Sequence, residues 1–329
     1  LYRYNPNNKS WSTIFNEEMS YYRAPGRDNF GARMMGSTLM IHGTEEQKHQ
    51  HLPLVARGEV QWCQGYSEPG SGSDLASLDT RAVRDGDEFV INGGKIWTSM
   101  AHRADWIMLL ARTDPDATKH RGISFFLIDM KSPGIEVRPI INMADKHEFN
   151  QINFEDVRVP VQNMLGDENR GWYVAVTLLD FERSGIDYSA KAKRLLDDIR
   201  DYASKTQVHG VLLVQVPWVR SALADRYVEC ESARLIAYNV AYIQSAGLIP
   251  NREASISKVF GSETVQKVSE TCMDILGMYA GLMPEQTRAV LNGRVQECWM
   301  SSFSDTIAAG TSEIQRNIIA SRGLGLPRG

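Results

Sequence analysis

The sequence predicts an α+β fold in three successive parts: a helical opening, a central β domain and a helical close. Three observations carry that expectation. Short apolar runs punctuated by Gly, Pro and Asp fill residues 59–160. The stretches on either side carry helical apolar spacing and helix caps. Strands and helices are segregated along the chain instead of alternating, which argues against a doubly wound sheet. The expected domains are residues 1–58, 59–163 and 164–329. The first reads as an incomplete helical domain, the second as a small barrel or sandwich, and the third as a four-helix bundle.

The elements follow in order. Ser10 and Ser12 are candidate caps for a helix over 11–22. Thr44-Glu45-Glu46-Gln47 reads as a capping box, opening a helix that stops at Gly58. Pro53 inside it predicts a kink or a break. Arg84-Asp85-Gly86-Asp87 predicts a turn between strands at 80–83 and 88–91. Asn92-Gly93-Gly94 predicts a second turn before a run over 95–99. Further strands are expected at 106–111, 123–129, 135–140 and 151–154. Helices are then expected over 171–205, 216–246, 253–277 and 286–301. A last helix should run from Thr311 to about Arg322, with Gly323 as its stop.

Composition narrows the function. The chain has 329 residues, 43% of them apolar and 23% charged, an ordinary globular balance. Its net charge of −4 argues against a broadly basic nucleic-acid surface. No apolar run is long enough to span a membrane. Cys63, Cys230, Cys272 and Cys298 show no CxxC spacing and fit a reducing cytoplasm. The seven histidines show no metal-ligand spacing, so no metal is expected. Leu1-Tyr2-Arg3 is neither a signal peptide nor an initiator start, so the chain is expected to begin inside a longer protein.

Four segments could carry chemistry. Gly65-Tyr66-Ser67-Glu68-Pro69-Gly70-Ser71-Gly72-Ser73-Asp74 is rich in Gly and small hydroxyls, so its backbone could approach an anion closely; it also reads as a long surface turn. Leu75 stands where a dinucleotide fingerprint needs glycine. In Lys95-Ile96-Trp97-Thr98-Ser99 the indole could stack on a planar ring, or could simply fill a core. Asp180-Phe181-Glu182-Arg183 offers either a carboxylate base aimed into a cleft or solvated surface charges. Ala309-Gly310-Thr311-Ser312-Glu313 is a helix start whose free N–H groups suit an anion, or a plain cap.

Taken together these segments resemble the acyl-CoA dehydrogenase family. The ordered series is GTEEQK from Gly43, Leu52-Pro53 with Gly58-Glu59, GYSEPGSGSDLA from Gly65, KIWTS from Lys95, DVRVP from Asp156, Glu182-Arg183, and GTSEIQ from Gly310. The resemblance spans nearly the whole chain. It implies an α-domain, a β-domain and a four-helix bundle, with the family's further N-terminal helices missing. It also implies FAD held between the β-domain and the bundle. Gln64, Tyr66, Ser67, Gly72 and Ser73 would contact the flavin or its ribityl and pyrophosphate. Trp97, Thr98 and Ser99 would face the ring, and Thr311 and Glu313 would lie along the FAD chain. Ser73, Asp180 and Arg183 would contact the acyl-CoA.

The sequence departs from the family pattern in two ways. Most members carry a catalytic Glu where this chain has Ala309; a minority place it directly before the bundle Arg, which is Glu182 here. In homomeric members an Arg before a Phe-Gly, and a Gln and a Gly near the end of the third helix, serve the neighbouring subunit's FAD. Here Thr206, His209-Gly210, Asp274 and Met278 stand instead. The ending Gly323-Leu324-Gly325-Leu326-Pro327-Arg328 and this asymmetry resemble the catalytic chain of heteromeric acyl-CoA dehydrogenases. The expectation is a cytoplasmic oligomer, in the heteromeric reading a heterotetramer with a related chain. It would convert an acyl-CoA to a 2-enoyl-CoA, with Glu182 as base and an electron-transfer flavoprotein as acceptor. The alternatives are an oxidase of the same fold and a non-catalytic companion subunit.

Overall fold

The computed structural model describes residues 9–26, 28–182 and 185–327. Its contacts group the chain into two units, Asp28–Glu182 and Leu1–Arg27 joined with Arg183–Gly329. The first helix thus counts with the C-terminal helices rather than with the other helices of the opening.

In the unit Asp28–Glu182, Asp28 caps a π-helical turn over Asn29–Met35, its carboxylate accepting from the Gly31 and Ala32 N–H groups. Helices Gly36–His42 (α2) and Glu45–Arg57 (α3) follow, the numbering leaving α1 to the other unit. The capping box forms as read: Thr44 Oγ1 accepts from Gln47 N, and Gln47 Oε1 accepts from Thr44 N. Gln47 Nε2 also donates to the carbonyls of Gln162 and Met164, pinning the start of α3 to the end of the sheet. Pro53 does not break the helix. An interior proline costs about 3 kcal/mol. Here the capping box fixes one end, Gly58 at φ 67 closes the other, and Gln47, His51 and Val55 are buried between them.

Seven strands form one sheet: Trp62–Gly65 (β1), Arg81–Asp85 (β2), Glu88–Lys95 (β3), Trp106–Arg112 (β4), Ile123–Asp129 (β5), Ile135–Ile141 (β6) and His147–Pro160 (β7). The path is β1-β4-β2-β3-β7-β6, with β5 also on β4. Asn92-Gly93-Gly94 is not a turn. It is a bulge inside β3, where the register on β7 shifts between Ile91 and Gly93. Gly93 has φ 145, and a Cβ there would sit 2.7 Å from the Thr80 backbone. β4 and β5 are apolar on both sides because both are covered. Met108, Leu110, Phe125 and Leu127 pack with Met35, Leu39 and Leu178 of the helices. Ile107, Leu109, Phe126 and Ile128 pack with Phe89, Ile91, Ile152 and Val159 of the sheet. Double-sided burial is why both read as near-continuous apolar runs, interrupted in β5 by the buried Ser124. The unit closes with helix Gly171–Glu182 (α4).

The other unit contains helices Lys9–Tyr21 (α1), Ile186–Ala203 (α5), Pro217–Ser245 (α6), Asn251–Leu276 (α7), Arg294–Asp305 (α8) and Ser312–Ile318 (α9), with a short hairpin of Gln207–Val208 (β8) and Val211–Leu212 (β9). Ser10 and Ser12 lie inside α1 and do not start it. Glu17 of α1 accepts from Arg234 and Tyr238 of α6. Leu195, Ile199, Val219, Val265, Val268, Cys272 and Val295 form the bundle core. The helix expected over 171–205 is two: α4 ends at Glu182 and α5 starts at Ile186, after Gly185 at φ 73. The fourth bundle helix starts later than read. Leu291, Asn292 and Gly293 have φ between 52 and 68, which no α-helix accommodates, so α8 begins at Arg294. Among the described residues no helix is long and apolar enough to cross a membrane.

Candidate functional site

The Gly-rich segment leaves β1 and is held at its root. Gly65 admits no side chain, since a Cβ would come within 2.7 Å of Ile107 Cδ1. Tyr66 is buried, its ring edge-on to Phe125 at 6.3 Å. Glu68 and Ser71 exchange both backbone hydrogen bonds and close a turn. Gly70 within it and Gly72 and Ser73 beyond it are exposed, and a Cβ on either glycine would meet nothing within 4 Å. Two buried polar atoms here, Gln64 Nε2 and Ser71 Oγ, have no hydrogen-bond partner among the described residues. Such atoms cost about 1–3 kcal/mol unless something satisfies them. They mark where a polar ligand would be met.

A buried ion pair ties this segment to the next, and the sequence reading had singled out neither partner. Lys95 is fully buried; its Nζ lies 2.7 Å from Glu68 Oε1 and donates to the Tyr66 carbonyl at 3.1 Å. Glu68 also accepts from the N–H groups of Asp79 and Thr80. Burial pushes the Lys95 ammonium down to about 8, against the pull of Glu68. Burial by itself would raise the Glu68 carboxyl, but Lys95 and the donors at 79 and 80 hold it below the ordinary carboxylate range. Ile96 N donates to the Ser67 carbonyl at 2.9 Å, a second tie between the segments.

Trp97 does not fill a core: it is 57% exposed, at φ 60, with Phe149 edge-on at 6.1 Å. Thr98 beside it is 1% exposed, and its Oγ1 has no partner among the described residues. Ser99 is half-buried. A bare indole face next to an unsatisfied buried hydroxyl is a surface on which a planar, polar-edged ring can stack and bond.

The segment Ala309–Gln315 belongs to the bundle unit. Ala309 and Gly310 are left-handed, at φ 54 and 85. Thr311 caps α9 as read, its Oγ1 accepting from Ile314 N. Glu313 is exposed, and hydrogen bonds from its own N–H and from Thr311 hold its carboxyl below the ordinary value. Gln315 Nε2 donates to the Ala309 carbonyl, while Gln315 Oε1 and Ser312 Oγ are buried and without partner among the described residues. An open cavity of about 440 Å³ lies alongside, lined in part by Lys267, Thr306, Ser312, Glu313 and Arg316.

Asp180 and Glu182 occupy the last turn of α4. Their side chains, and Arg183 entirely, lie outside the described residues. The structure thus brings Gln64, Tyr66, Ser67, Trp97, Thr98 and Ser99 together on one unit, around the Glu68–Lys95 pair. Thr311 and Glu313 sit together on the other. Among the described residues no cluster of three or more His, Cys, Asp or Glu could hold a metal ion.

Comparisons with known proteins run through both units. The family model described as acyl-CoA dehydrogenase, middle domain, matches residues 63–157, and that of the C-terminal domain matches 169–324. Acyl-CoA dehydrogenase FadE26 of Mycobacterium tuberculosis is 40% identical over 299 residues, which cover 88% of this chain and 74% of that protein. The solved structure of the Tcur3481-Tcur3483 steroid ACAD is similar at TM-score 0.91 and 36% identity, covering 98% of this chain and 82% of that one. The ChsE4-ChsE5 complex from Mycobacterium tuberculosis is similar at TM-score 0.91 and 37% identity, covering 98% and 83%. With the middle-domain match over the sheet that carries Trp97 and the C-terminal match over α9, this chain belongs to the acyl-CoA dehydrogenase family and is an oxidoreductase of that class.

Proposed function

We propose that the chain dehydrogenates the α,β-bond of an acyl-CoA to give a trans-2-enoyl-CoA, with FAD as cofactor. The observation that carries the cofactor is the set of buried polar atoms at Gln64, Ser71 and Thr98 that have no partner among the described residues, together with the exposed indole of Trp97 next to Thr98. Their mix of donors and acceptors fits the edge and ribityl chain of a flavin. Bound FAD would supply the two-electron acceptor that takes the β-hydrogen as hydride. Gln64, Tyr66, Ser67, Gly72, Ser73, Trp97, Thr98, Ser99, Thr311 and Glu313 would hold it. Glu182 would remove the α-proton, since Ala309 offers no carboxylate. Polarising the thioester carbonyl lowers the barrier to that proton transfer. A dry site would bring the Glu182 pKa toward the working pH. Ser73, Asp180 and Arg183 would contact the acyl-CoA.

The acyl group we infer is bulky. Ala309 is small and exposed where a carboxylate would otherwise project, and one similar structure is described as a steroid ACAD. In this reading the chain works in the cytoplasm as the catalytic half of a heteromer with a related chain, and passes electrons to an electron-transfer flavoprotein. One similar structure is described as the ChsE4-ChsE5 complex. The domains are read as residues 1–58, 59–163 and 164–329. The test is co-expression with a related acyl-CoA dehydrogenase chain, followed by acyl-CoA titration of the yellow complex. Glu182→Gln should keep FAD and lose at least about a thousandfold in the rate of flavin bleaching, the scale of a missing general base with its positioning. Retained bleaching would remove Glu182 from the role. Oxygen uptake without a dye would point to an oxidase, and a chain pair in which this member never contributes to flavin binding would point to a companion subunit.

A further inference from the structure

The loop over 97–103 is held in a conformation its own residues disfavour. Trp97 and Met100 are both left-handed, at φ 60 and 59, a region that residues with a side chain rarely adopt. Such strain persists where the surroundings over-determine it. The constraint comes from the beginning of β7. Thr98 and Asn150 exchange both backbone hydrogen bonds at 3.0 Å, and Met100 N donates to the Glu148 carbonyl at 2.8 Å. Asn150 is fully buried. Its Nδ2 donates to the Thr98 carbonyl at 3.0 Å and faces His102 Nδ1 at 3.3 Å; its Oδ1 faces His147 Nε2 at 2.8 Å. The two imidazoles stack at 3.8 Å and 23°.

An amide nitrogen only donates and an amide oxygen only accepts. His147 therefore carries its proton on Nε2, and His102 presents a lone pair from Nδ1. The pair reads out which way the amide points and holds it there. The charged groups around it are Arg103 beside His102, and Lys146 and Glu148 flanking His147, with Glu148 accepting from Asn142 Nδ2. Burial, His147 and Arg103 lower the His102 pKa, which keeps the lone pair on Nδ1 at neutral pH.

We propose that Asn150 is a positioning residue for the cofactor: oriented by the stacked His102–His147 pair, its amide fixes the Thr98 carbonyl, and with it the exposed face of Trp97 and the buried Thr98 hydroxyl. This rests on the reading that the loop meets FAD. A proton on His102 Nδ1 would set two donors against each other at 3.3 Å and loosen the loop.

The test compares the full chain with Asn150→Ala, Asn150→Asp and His102→Phe, by FAD affinity from pH 5.5 to 8 and by hydrogen exchange of the loop amides. Both Asn150 variants should weaken FAD and raise exchange over 97–103 by about tenfold, one buried hydrogen bond's worth, while exchange in β5 stays put. Asn150→Asp should recover part of its affinity as pH falls, because only its protonated carboxyl can donate to the Thr98 carbonyl. His102→Phe should flatten the acid-side loss of affinity. Unchanged loop exchange in Asn150→Ala, or an equal rise in β5, overturns the proposal, since the amide would then be an ordinary packing group. If the unmodified chain, co-expressed with the related chain, takes up no FAD, the flavin reading fails, and the exchange measurement still decides whether Asn150 holds the loop.

Discussion

A fully buried lysine is stable only with an anion and acceptors within reach, and Lys95 has both. Removing one member of such a pair leaves the other charge stranded. Lys95→Met should cost about 3–5 kcal/mol, read as a lowered denaturation midpoint, and should abolish FAD uptake. Glu68→Gln keeps a hydrogen-bond acceptor and should cost less. The pair also sets an acid dependence. The Glu68 carboxyl is held below its ordinary value of 4.5 when folded. Its contribution is therefore complete above that value and is lost as pH falls through the folded pKa. Denaturation from pH 6 down to pH 3.5 should show this acid-side loss in the unmodified chain and a shallower one in Glu68→Gln; parallel slopes would mean Glu68 is not the group responsible. Neither residue was legible in the sequence. They stand 27 positions apart, and no periodicity links a glutamate in a Gly-rich turn to a lysine at a strand end. Trp97 was legible as a candidate, but its exposure was not, because that depends on the left-handed backbone that turns it outward.

At the scale of elements, boundaries followed local chemistry where a cap set them and tertiary contacts where none did. The capping box at Thr44 and the cap at Thr311 formed where read. β5 matched its apolar run residue for residue. The single helix expected over 171–205 failed at Gly185, since one glycine in a helical pattern signals only a modest cost. The contact that makes it a break is remote: a Cβ at 185 would lie 2.3 Å from Ser257 Oγ. Gly185→Ala thus meets both an unfavourable φ of 73 and a clash. It should destabilise by roughly 2 kcal/mol or more. Combining it with Ser257→Ala should recover part of that loss, a coupling a double-mutant cycle would detect. Strict additivity would leave the backbone angle as the whole cause.

Across the whole molecule, the α, β, α order was legible because segregated periodicities survive any detail of packing. What the order could not give is which helices share a core. Contacts between α1, α5 and α6 put the first helix with the bundle, although residues 22–185 intervene between α1 and α5, an association no local pattern encodes. Each unit has its own buried cluster: Phe125 sits in one with Met35, Leu39 and Leu178, and Leu195 sits in the other with Val265 and Val268. Separate cores make separate cooperative transitions the expected behaviour of the chain without cofactor. Phe125→Ala and Leu195→Ala should each cost about 3–5 kcal/mol, and each should lower one transition in a calorimetric scan while leaving the other in place. The stacked Trp62–Trp106 pair lies in the Phe125 unit, so near-ultraviolet ellipticity should follow the transition that Phe125→Ala moves. A single transition displaced equally by both substitutions would show that the two clusters unfold as one.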